Sequence, residues 1–84
     1  MMLPIINETV TLFEHGEFRI CIIETASGYD AWLSHKQYGI ATFMFGLAKQ
    51  QSNGSAVDFH KFCELVECNL EEYESLYLQD AEEK

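Results

Sequence analysis

Basic residues are scarce in this sequence: five lysines and arginines stand against fourteen aspartates and glutamates, for a net charge of −9 with the histidines neutral. Direct nucleic-acid binding draws its affinity from phosphates neutralised by Lys and Arg, and anionic membranes attract clusters of the same residues. Neither is an expected direct partner of so acidic a chain. Cysteine is sparse too. Three cysteines, an odd number without close pairing, do not make the disulfide framework of a small secreted domain, so reduced thiols are expected. The start, MMLPIINETV, has no basic segment, no long apolar run and a proline at position 4. It reads as neither a signal peptide nor a membrane span, and a cytoplasmic location is expected.

Catalytic signatures are also missing. The sequence contains no Gly-rich phosphate loop, no Gly-x-Ser-x-Gly elbow and no His-Glu-x-x-His pair. Cys21, Cys63 and Cys68 are candidate nucleophiles, with His15, His35 or His60 as a base. Cys21 and Cys63, however, sit in apolar patterns, where a cysteine behaves as a small hydrophobe. Cys68 follows Cys63 by five residues, about 140° around a helix, so these two thiols do not converge on one ion. His60, Glu64 and Glu67 share a helical face without a second histidine, which describes a solvated surface better than a metal centre. A non-enzymatic protein without metal or cofactor is the expectation.

What is present is apolar and periodic. The 84 residues make one domain, 1–84, which buries only about 60–65% of its unfolded surface at this size. A hydrophobic share of 48% and an aromatic share of 13% supply an ordered core and leave apolar surface over. A homodimer is one use for that surplus.

Within a β-meander expected over about 9–47, residues 9–35 alternate with period two, as strands do. Val10 and Leu12 share a face of the first strand, and Gly16 marks a tight turn. Phe18, Ile20 and Ile22 then share one face of a second strand, opposite Arg19, Cys21 and Ile23. After the turn signal ASGYD, Tyr29, Ala31 and Leu33 alternate with Asp30, Trp32 and Ser34 in a third strand. The run IATFMF fits a helix or a strand. Gly39 and Gly46 bracket it at strand length, which favours a fourth strand.

Beyond the linker QQSNGS, a helix is expected over 55–79, with Ser55 as its N-cap and an acidic tail over 80–84. Phe59, Phe62, Cys63, Val66, Leu70, Tyr73 and Tyr77 recur at steps of three and four, an apolar stripe that belongs on the sheet. The fold class is therefore α+β: an antiparallel meander of three or four strands followed by a long C-terminal amphipathic helix on one sheet face.

Glu64, Glu67, Glu71 and Glu74 recur at the same steps on a different face of that helix. From Asp58 to Lys84 there are nine acids and two bases, a net of −7. Like charges three and four apart repel by a few tenths of a kcal/mol per pair, which interleaved lysines would relieve. The row is either a solubilising surface or a ligand for a basic protein groove. At 1.5 Å rise per residue its carboxylates stand roughly 4.5–6 Å apart along the axis, close to the scale of successive phosphates.

In size, acidity and sheet-plus-helix pattern the chain is similar to small inhibitors encoded by phages and mobile elements, among them anti-CRISPR and anti-restriction proteins that imitate nucleic acid. The likeness is one of composition and transfers no residue. It implies a protein partner with a basic surface, contacted through Glu64, Glu67, Glu71 and Glu74. Trp32, pointing away from Tyr29, Ala31 and Leu33, is the candidate anchor on the sheet if it is exposed. The alternatives are a thiol- or metal-dependent small protein using the Cys and His residues, and a structural subunit of a homo-oligomer.

Overall fold

The first turn shows how the local sequence sets the fold. Gly16 has φ +60° while Glu17 keeps a negative φ, so the two-residue loop has the type II′ pattern that matches the twist of a hairpin. It joins β1 (Thr9–His15) to β2 (Phe18–Glu24). The computed structural model describes residues 8–82. The expectations for MMLPIIN and for the last two residues of the acidic tail lie outside the described residues.

At the second turn the hydroxyl of Thr25 accepts from the backbone N–H groups of Ser27 and Gly28, and β3 (Gly28–His35) follows. The ambiguous run is a strand, β4 (Thr42–Ala48). Among the described residues the four strands form one antiparallel sheet in the order β1-β2-β3-β4, and a single helix, α1 (Phe59–Glu82), packs on one face of it. The meander-plus-helix, α+β architecture is thus present with its fourth strand. β4 carries a bulge: Ala31 pairs with Phe45 and Trp32 with Phe43, so Met44 is the extra residue, and it is buried.

The helix starts four residues later than expected, and Ser55 is not its cap. The backbone and hydroxyl of Ser55 both bond to Asn53 Oδ1 within the linker, while Val57 N–H returns to the carbonyl of Lys49. With Ser55 engaged, Asp58 takes the capping role: its Oδ1 accepts from the N–H of Lys61 at 2.8 Å. Val57 before the cap and Phe62 four positions after it are both buried, the arrangement of a hydrophobic staple. At the other end, Asp80, Ala81 and Glu82 are helical rather than part of a tail, because Leu78 and Ala81 carry the packed stripe one turn further.

The core lies between this helix and one sheet face. β2 contributes Phe18, Ile20 and Ile22, and β3 contributes Tyr29, Ala31 and Leu33. Helix residue Phe62 is fully buried, its ring stacked on Tyr29 at 5.2 Å and tilted against Phe45 at 5.4 Å. A second aromatic group gathers around buried His35, which packs edge-on to Phe18 at 4.8 Å and stacks with Tyr77. Its Nδ1 accepts from the N–H of Gln37, and the Tyr77 hydroxyl donates to the carbonyl of Ile40. That bond ties the β3–β4 loop to the helix.

Candidate partner-binding surfaces

The charge of the molecule is segregated by layer. Three cations in the sheet region, Arg19, Lys36 and Lys49, each lie within 4.0 Å of a sheet carboxylate, Glu14 or Glu24. Hydrogen bonding to Glu24 pushes the Lys49 ammonium further toward its charged form. The helix has seven carboxylates and a single lysine, net −6 within a chain of net −9. Among the described residues its carboxylates find only histidine partners: Glu64 pairs with His60, and Glu74 with His15, each at 2.7 Å.

The structure divides the predicted row. Glu64, Glu67 and Glu71 are exposed, whereas the Glu74 side chain is only 14% exposed and leans onto β1 through His15. Glu74 therefore belongs to the joint between helix and sheet rather than to the solvated row.

Trp32 lies on the sheet face opposite the helix, as its alternation with Tyr29, Ala31 and Leu33 requires, but it is half-buried. The Phe43 ring covers it edge-on, with centroids 5.2 Å apart. The register makes this contact part of a longer feature. Leu12 pairs with Cys21, Cys21 with Trp32, and Trp32 with Phe43, so one apolar row crosses all four strands on the open face. Val10 and Ile23 extend it on one side, while Arg19 and Glu14 border it on the other. Leu12 is 69% exposed and Phe43 is 47% exposed, so the row is accessible at both ends.

A third surface was missed by sequence reasoning. The helix lies chiefly over β3 and β4 and also covers the helix-side residues of β2, leaving the β1 edge of that face open. A groove of about 290 Å³ opens there, floored by Phe13, Ile20 and Ile22 and walled by Cys63, Val66 and Leu70. Glu14, His15 and Glu67 stand at its mouth. The sequence signal was the second face of β1, where Thr11, Phe13 and His15 alternate with Val10, Leu12 and Glu14. A strand apolar on both faces reads as buried on both, and β1 is instead exposed along nearly its whole length.

The thiol and metal candidates are scattered. Cys21 is on the open face and His35 in the core beneath the helix, so the sheet separates them. Cys63 shares the groove with His15, but burial pushes its thiol pKa up, which lowers the fraction of reactive thiolate. The His60–Glu64 pair is solvent-exposed, and among the described residues no three His, Cys, Asp or Glu side chains converge to hold a metal ion. No described helix is long and apolar enough to cross a membrane. No family model, curated protein or solved structure matches the chain.

Proposed function

We propose that the protein is a cytoplasmic, non-enzymatic interaction module whose acidic helix docks on a basic protein surface, as an inhibitor occupying a nucleic-acid-binding groove would. The observation that carries this is the segregation of charge. Sheet cations are matched to sheet carboxylates, while Glu67, Glu71 and Glu72 on the helix have no cationic partner among the described residues. An array of like charges held on a rigid helix costs stability, and a basic partner returns that cost on binding while steering the encounter over a Debye length of about 8–10 Å. The three free cysteines suit a reducing compartment.

The test replaces Glu64, Glu67 and Glu71 together with glutamine, which keeps shape and helix propensity and removes charge. In pull-downs from the source cell, the wild-type protein is expected to capture basic proteins that high salt or added duplex DNA releases. The triple substitution is expected to lower that capture roughly tenfold at low salt. Capture indifferent to both salt and substitution would assign the acidic face to solubility alone.

The open-face row favours a second, compatible reading: a homodimer with two sheets face to face. Stacked sheets sit about 10 Å apart with each helix one layer further out, so the acidic faces of the two copies stand several Debye lengths from each other. The face measures roughly 19 by 23 Å from strand spacing and rise, which buries about 900 Å² in total and predicts a weak dimer. Sedimentation velocity should show a concentration-dependent dimer at high micromolar protein, abolished by Leu12→Lys or Phe43→Lys. A monomer at every concentration would remove this reading.

A further inference from the structure

The two edges of the sheet are built differently. β4 is interrupted by its bulge at Met44 and by Gly46, devices that keep a second strand from adding to an edge. β1 is seven residues long, exposed, free of proline, glycine, lysine and bulge, and among the described residues no strand pairs with its outer side. An edge of this kind presents a row of unpaired backbone groups to any extended chain. Strands beside it would have their side chains alternate between two environments, because successive residues point to opposite faces.

Those two environments are chemically distinct here. On the open face a neighbouring strand meets Val10 and Leu12, which are 55% and 69% exposed and begin the apolar row that continues to Phe43. On the helix side it meets the unroofed groove, where Phe13 offers an apolar floor and Glu67 stands at the mouth. Long cationic side chains fit that second environment best. Their aliphatic stems can lie along Phe13 while the charged heads reach the Glu67 carboxylate.

We infer that the free edge of β1 takes an extended strand from a basic protein partner, with Lys or Arg on the helix side alternating with Val, Ile or Leu on the open-face side. This rests on the reading that the partner is basic, and it moves the contact from the helix surface alone to the junction of helix and sheet edge. A second copy of this chain is the poorer occupant. Its β1 would bring Thr11, Phe13 and His15 to the helix side, the histidine already engaged by its own Glu74, with no lysine or arginine, and its own acidic helix would approach ours in a pair of chains that each carry −9. Charge complementarity decides between the two.

The probes are two short blocked synthetic peptides of identical composition: one alternates Lys and Val, the other has its lysines and valines in separate blocks. Fluorescence anisotropy of the labelled peptides on the full-length protein at low salt is expected to show roughly tenfold tighter binding of the alternating peptide, the selectivity of a side-chain register read by a strand. Amide hydrogen exchange should slow along β1 only with that peptide. Glu67→Gln and, separately, Leu12→Lys should each weaken it severalfold, and circular dichroism should be unchanged because both side chains are exposed. Equal binding of the two peptides, or no binding of either, overturns the inference. Salt-sensitive capture of basic proteins through Glu64, Glu67 and Glu71 would then still stand or fall by its own triple substitution. Protection of β1 amides in the protein alone, together with a dimer by sedimentation, would overturn it in favour of a second copy.

Discussion

Replacing Phe62 with alanine is expected to remove about 3–5 kcal/mol of stability, the range for truncating a buried aromatic side chain. Phe62 is fully buried, stacked on Tyr29 from β3 and tilted against Phe45 from β4, so its ring joins the helix to both strands beneath it. It also follows the Asp58 cap by four positions, and Val57 just before the cap is buried in the same core cluster. A domain of this length has roughly 4–13 kcal/mol in total at 0.05–0.15 kcal/mol per residue, so the substitution leaves the fold marginal. Urea denaturation followed by far-ultraviolet circular dichroism reports the change. Leu76→Ala is the control: that side chain is 52% exposed, and its loss should stay within about 0.5 kcal/mol. Similar midpoints for the two variants would mean that Phe62 is not the centre of the core.

Gly28→Ala carries the second-largest expected effect. A Cβ at position 28 would fall on the carbonyl oxygen of Leu47 and come within 3.0 Å of the Ala48 Cα, both backbone atoms of the paired strand. Neither can move without opening the β3–β4 ladder, where Gly28 pairs with Ala48. The expected cost is about 2–3 kcal/mol, as for an overpacked core site. Gly46→Ala gives the comparison. There the added Cβ meets the Asp30 carboxylate, a side-chain group that can rotate away, and stands 3.1 Å from the Tyr29 carbonyl oxygen, which needs only a shift of a few tenths of an ångström, so a lower cost of about 1 kcal/mol is expected. If Gly28→Ala lowers the urea midpoint no more than Gly46→Ala does, the close approach of the two backbones is not rigid.

The sheet was legible in the sequence because period two is strong wherever one face is buried. Phe18, Ile20 and Ile22, then Tyr29, Ala31 and Leu33, stood out as residues sharing one face, and the structure puts that face under the helix. The fourth strand was harder to read, since a bulge at Met44 breaks the alternation and gives IATFMF its helix-like spacing. Ser55 looked like a cap because capping is judged from local residue type, whereas its backbone and hydroxyl are committed to Asn53 by a loop that folds back on β4. The alternation put Trp32 on the face opposite Tyr29, Ala31 and Leu33 without saying which face the helix covers, and its cover by Phe43 depends on a cross-strand register that only pairing fixes. The acidic row was visible as a periodicity. Which of its members turns inward depended on the angle of the helix across the sheet, and that angle brought Glu74 to His15 and left the groove beside Phe13 open.

The difference between the two sheet edges also limits how this molecule can assemble. Endless head-to-tail polymers need two compatible sticky ends on every subunit, whereas a unit with one open end and one blocked end closes after a single addition. The bulge at Met44 blocks the β4 end. Any strand added at β1 therefore terminates growth, and the protein is expected to form discrete complexes in place of fibrils even though a fully apolar row lies across its sheet.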